Sequence, residues 1–174
     1  MGAYYDALSL AMEWLGQQER TIFFGQGVGN AGTQLSKSFD GVPAEKRIEF
    51  PVAEEMQIGL CVGASLNGFI PISIIPRWDF ALRAADAIVH SLDRLPLYSD
   101  GGYRPRVIIR TAVPSIRPFN PGTQHDGDFS EAFRLMLRTV RIIELEDATE
   151  ILPAYQTALE LNGSTILVEY AAKY

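Results

Sequence analysis

Apolar residues along the chain recur either at helical spacing or in short unbroken runs, and the two patterns alternate. Residues 3–17 carry Tyr5, Leu8, Met12 and Leu15 three or four apart, with Glu13 and Gln17 between them, which predicts an amphipathic helix. Helical spacing returns at residues 52–66, 80–95, 129–137 and 148–161, and a turn or two of helix is expected at 35–39 before Asp40-Gly41-Val42-Pro43 breaks it. Short segments rich in apolar residues at 21–24, 47–50, 69–75, 107–111, 140–145 and 165–169 predict strands. Strands that are apolar throughout are buried on both faces. The expected fold is therefore α/β, a doubly wound, mostly parallel sheet with helices on both faces.

The stretch from Phe50 to Ala64 is the most informative. Pro51 can close a strand and stand at the head of a helix, since its missing N–H is no loss there. Beyond Met56 every residue is apolar or small except Gln57, so the helix is expected in the core, with Gly59 and Gly63 on one face to admit a second backbone. Asn67-Gly68 closes it with a left-handed cap. Glu54 and Glu55 open it, and acids in a first turn are favoured by the helix dipole. Dipole stabilisation does not explain why they open so apolar an element. A carboxyl held at that boundary could donate or accept a proton near neutrality. The helix at 80–95 should bury Leu82, Ala85, Ile88, Val89 and Leu92, followed by a loop at 98–104 and a long irregular, proline-rich segment at 113–127 that holds His125.

With 174 residues and 47% hydrophobic content, the chain is long enough for one domain with a real core. A net charge of −6 argues against non-specific nucleic-acid binding and favours a cytoplasmic protein. No apolar run is long enough to span a membrane. The single cysteine, Cys61, reads as a small core residue, and two distant histidines leave no protein-built metal site. Of the two, His90 falls on a helix and reads as surface. Gly27-Val28-Gly29-Asn30-Ala31-Gly32 matches G-x-G-x-x-G after a strand, with Glu49 near the place of a ribose-binding acid. The helix that follows is too short to cross the sheet, which makes dinucleotide binding the weaker reading.

Several segments in order resemble the pyrimidine-binding domain of thiamine-diphosphate-dependent enzymes. They are Glu19 to Gly29, Arg47 to Glu54 with its Pro-x-Ala-Glu entry, Gly68 to Ile72, Trp78-Asp79-Phe80 ahead of Ala84 to Ile88, and Gln124-His125. The pattern is similar to the amino-terminal half of 2-oxo acid dehydrogenase beta subunits, with transketolase as a relative, and runs from about residue 3 to residue 169. The resemblance implies that Glu54 hydrogen-bonds the aminopyrimidine ring of the cofactor and activates it for loss of its thiazolium proton. It implies further that Val52 and Phe80 pack beside the pyrimidine and that His125 meets substrate. Gln26 stands where the family has an acid, so it can hydrogen-bond the cofactor but not transfer a proton. The segment containing Arg117 departs from the beta-subunit pattern.

The family's beta subunits continue into a further carboxy-terminal domain without a counterpart here, so a single pyrimidine-binding domain over residues 1–174 is expected. The family's Gly-Asp-Gly diphosphate motif is also missing; Asp126-Gly127-Asp128 has the wrong order. The resemblance therefore implies thiamine diphosphate shared with a separate diphosphate-binding subunit, which would hold the magnesium. The assembly would be a heterotetramer or homodimer acting on a small 2-oxo acid or ketose. A non-catalytic, degenerate partner-binding or regulatory module of the same fold is the alternative.

Overall fold

A computed structural model describes residues 2–30, 32–115 and 122–174; Ala31 of the glycine-rich motif and Arg117 lie outside them. Six strands form one sheet: β1 (Thr21–Gly25), β2 (Arg47–Glu49), β3 (Ile70–Ile74), β4 (Ile108–Val113), β5 (Arg141–Glu144) and β6 (Thr165–Tyr170). Their order is β2-β1-β3-β4-β6-β5 and every pairing is parallel, in keeping with the apolar, buried central strands. Helices α1 (Ala3–Gly16) and α7 (Ala148–Glu160) cover one face, where Leu8, Met12, Leu15, Phe23, Ile72 and Tyr155 pack together. On the other face lie α3 (Glu54–Leu66), α6 (Ser130–Met136) and a helical run over residues 78–98, around Ile58, Cys61, Trp78, Ile88 and Phe133. Between β1 and β2 the chain makes only a four-residue helix, α2 (Gln34–Lys37).

Three expectations are corrected. First, α3 begins at Glu54, and exposed Pro51 precedes it by three residues in a tight turn closed by Ala53 N–H to the Pro51 carbonyl. Second, α3 is not a core helix all round: it buries Glu54, Gln57, Ile58 and Cys61, but leaves Met56, Gly59, Leu60, Gly63 and Leu66 uncovered. Third, residues 80–95 are not one regular helix. The run is α4 (Trp78–Ala81), a 3₁₀ turn (Leu82–Ala84), a π-helical stretch (Ala87–Asp93) and α5 (Leu95–Tyr98). Because each change of winding rotates the side chains away from 3.6 periodicity, Leu82 ends 47% exposed while Ile88, Val89 and Leu92 are buried. Asn67-Gly68 does close α3, with Gly68 at φ +91°.

Backbones at the carboxyl end of the sheet come unusually close. Gly25, the last residue of β1, has φ +155°, and a Cβ there would lie 2.4 Å from the Ile74 carbonyl oxygen. Only glycine fits, so the chain can leave β1 directly over β3. Under the first face, Arg110 and Glu169 form an ion pair, 3.1 Å apart and both buried. Burial alone would lower the Arg110 pKa, but Glu169 more than reverses this and keeps the guanidinium charged. Ser38 and Tyr174 complete the network.

Candidate functional site

The strand order reverses at β1: the chain steps outward to β2, then returns to β3 on the other side. Ligands of parallel α/β sheets bind outside the carboxyl ends of the strands at such a point. Gln26 emerges from β1 there, and its Nε2 donates to Glu54 Oε1 at 3.1 Å. Glu54 is 2% exposed whereas Glu55 is exposed, so only one carboxylate of the pair is sequestered.

Gln57, one turn further along α3, explains how Glu54 is held. Its side chain is buried, and its amide donates to the Phe24 carbonyl (3.2 Å), Ser73 Oγ (2.8 Å) and the Ile74 carbonyl (3.0 Å). These acceptors lie at the ends of β1 and β3, so Gln57 pins α3 across the two strands that diverge at the site. As the lone long polar residue in an apolar helix it was visible in the sequence, but its role depends on strand order.

Glu54 Oε2 is shut off from solvent and accepts no hydrogen bond; Arg83 Nε lies 3.6 Å away. The Arg83 side chain is 73% exposed, so this cation can leave without unfolding anything. Val52, Ala53, Glu54, Glu55, Met56 and Arg83 line an open pocket of about 370 Å³, and Val52 itself is 70% exposed. Half-buried Phe80 meets His125 edge-on, with ring centroids 5.3 Å apart. The site residues thus fall into two groups, Gln26–Glu54 with Val52 and Phe80–His125. Arg83, three residues after Phe80 in sequence, belongs by contact to the first group. His90 pairs with Asp86 on the surface at 2.7 Å. On the far side of Gln26, a cleft of about 400 Å³ lies at the ends of β1, β3 and β4, with Leu35, Pro76 and Arg77 in its wall.

The glycine-rich loop is already filled by a carboxylate from within the chain. Glu49 Oε1 accepts from Gly27 N–H at 2.8 Å and Oε2 from Gly29 N–H at 2.7 Å. Burial opposes ionisation of Glu49, but the bonds from Gly27, Gly29 and Asn30 outweigh it and lower its pKa. Donors that could cradle a phosphate are thus spent on Glu49, which gives a physical reason against the dinucleotide reading. Cys61 is buried, and burial raises its thiol pKa to about 12, which makes it inert. Among the described residues no cluster of potential ligands could hold a metal, and no helix is long and apolar enough to cross a membrane.

An all-parallel six-stranded sheet in this order, covered by helices on both faces, is an α/β fold of the kind found in transketolases. A split gene transketolase described as an inactive beta4 tetramer has the same fold, with a TM-score of 0.71 over 94% of this chain and 49% of that one, at 21% identity. Transketolase from Campylobacter jejuni matches with a TM-score of 0.72 over 95% of this chain and 25% of its own, at 17% identity. By sequence, the chain is a relative of 2-oxo acid dehydrogenase beta subunits. It is 29% identical over 155 residues to the mitochondrial pyruvate dehydrogenase E1 component subunit beta of Saccharomyces cerevisiae, covering 86% of this chain and 42% of that protein. The 3-methyl-2-oxobutanoate dehydrogenase subunit beta of Mycobacterium tuberculosis is 26% identical over 144 residues, covering 81% of this chain and 38% of its own. The chain therefore spans about two fifths of the length of these curated relatives. No family model matches it. Fold, ordered motifs and relatives agree on a resemblance to the pyrimidine-binding domain of thiamine-diphosphate-dependent enzymes.

Proposed function

We propose that this chain is the pyrimidine-binding subunit of a thiamine-diphosphate-dependent enzyme that acts on a 2-oxo acid or ketose together with a diphosphate-binding chain. The observation that carries this reading is the orphaned Oε2 of Glu54, a buried oxygen without a hydrogen-bond donor beside an open pocket. Buried polar atoms are rarely left unpaired, and an aminopyrimidine ring nitrogen sharing a proton with this oxygen would satisfy it. Gln26 fixes the other oxygen of the same carboxylate, Val52 offers an apolar wall, and Phe80 with His125 supplies a ring face and a titratable group. When bound, the cofactor supplies the nucleophilic carbon that adds to a substrate carbonyl. In this reading Glu54 would hold the proton that tunes the ring, Gln26 would keep the carboxylate aimed, and His125 would meet the substrate. Magnesium would be held by the partner chain together with the diphosphate of the cofactor.

Arg83 favours a second reading, a non-catalytic module of the same fold in which a cation permanently occupies Glu54. Calorimetric titration of thiamine diphosphate and magnesium into the chain, with and without a diphosphate-binding subunit, separates the two. In the reconstituted pair, Glu54→Gln should abolish turnover and leave assembly intact, while Arg83→Ala should leave turnover undiminished. Full activity of the Glu54 variant sinks the catalytic assignment. Failure of the wild-type pair to bind cofactor favours the module.

A further inference from the structure

Trp78-Asp79-Phe80 grips the loop that carries His125 at three successive points. Trp78 Nε1 donates to Ser130 Oγ at 3.2 Å, Asp79 Oδ1 accepts from Gly127 N–H at 3.3 Å, and the Phe80 ring meets the imidazole. The loop is also tied to itself. His125 N–H donates to the Gly122 carbonyl, and Asp128 Oδ1 accepts from Ser130 N–H and its hydroxyl. Gly127 is needed for the close approach, because a Cβ there would stand 2.3 Å from the Phe129 ring and 3.0 Å from Asp79 Oδ1.

Packing accounts for Trp78 and Phe80, but not for Asp79. It caps no helix end and makes no ion pair among the described residues, and its Oδ2 is closed off from solvent with no donor. A shielded carboxylate oxygen without a partner costs stability, so packing gives no reason for it. His125 poses the complementary question. Its Nδ1 is likewise shielded and unbonded, so no hydrogen bond to that nitrogen fixes how the ring sits. The ring is then seated by its contact with Phe80 and by the course of the loop backbone, and of the ties to α4 the Gly127 N–H to Asp79 bond is the one made to that backbone.

We propose that Asp79 is the positioning residue for His125. By accepting the Gly127 N–H it sets the height of the loop, and with it the seat of the imidazole against Phe80. The proposal rests on reading His125 as a site residue, so its test uses the chain alone, without cofactor or partner, and stands or falls separately from the thiamine diphosphate reading.

The chain has only two histidines, His90 and His125, so imidazole proton resonances are assigned with one His90→Gln variant. Phe80→Leu marks where the His125 resonance falls without its aromatic neighbour. Asp79→Ala should move the His125 resonance to that position and strip exchange protection from the Gly127 amide, with His90 unmoved; Asp79→Asn, which keeps an acceptor, should recover both. A folded Asp79→Ala chain with the His125 resonance in place overturns the proposal, as does an Asp79→Asn chain that recovers neither signal. If the alanine variant does not fold, the wild type decides: a protected Gly127 amide supports the tie, and a freely exchanging one refutes it.

Discussion

At the residue scale the site turns on a neutral amide facing a carboxylate. Gln26 donates to Glu54 where the resemblance leads one to expect an acid, and donation by an amide requires no shared proton. Gln26→Glu would set two carboxyls about 3 Å apart, a spacing at which one of them must keep its proton. The introduced acid would then have a folded-state pKa above its unfolded one. By linkage, its contribution is present below the unfolded value of about 4.3 and lost as pH rises through the folded value. The variant should match the wild type in urea denaturation near pH 4 and be less stable by about 1–3 kcal/mol at pH 7. Equal stability at both pH values would mean that the side chains part and that Gln26 does not constrain Glu54.

At the element scale α3 matters most, because it carries Glu54 at one end and Gln57 one turn inside. Gln57→Ala removes three hydrogen bonds and opens a cavity, so it should cost about 2–4 kcal/mol and lower Tm by roughly 4–16 °C. Gln57→Met refills the volume without the bonds and should recover part of that loss in a calorimetric melt. In the reconstituted pair the methionine variant should still lose cofactor affinity, since α3 is no longer pinned to β1 and β3. The helix was legible in the sequence from its cap, its apolar run and its paired acids, and its boundaries shift by only two residues. Its uncovered face was not legible, because periodicity reports which residues are apolar and not whether this chain supplies their cover. The winding changes after Phe80 were hidden for a related reason: Leu82, Ile88, Val89 and Leu92 fit a regular stripe, and only tertiary packing shows that Leu82 falls off it. Glu49 could be picked out by its spacing from the glycine-rich loop, yet spacing cannot tell an acid that binds ribose from one that fills the loop itself.

For the molecule as a whole, the Glu54 pocket and the open face of α3 are continuous, since Val52 and Met56 at the rim lead along the helix to Leu60 and Leu66. Val52 is 70% exposed, Met56 63% and Leu60 38%, an unusual cluster for a surface that stays wet. A Cβ at Gly59 or Gly63 would meet nothing within 4 Å, so nothing among the described residues requires these glycines to be small. In the proposed enzyme, a diphosphate-binding chain that closes the Glu54 pocket would lie on this side, and Gly59 and Gly63 would admit its backbone. Gly59→Leu therefore separates folding from assembly. In the isolated chain it should be neutral or stabilising by up to about 1 kcal/mol, because leucine is the better helix former. Mixed with the diphosphate-binding chain, it should abolish complex formation in light scattering and with it cofactor binding. A variant that assembles as well as the wild type would move the seam elsewhere. A wild-type chain that self-associates while Gly59→Leu stays monomeric would assign the face to a second copy of this chain instead.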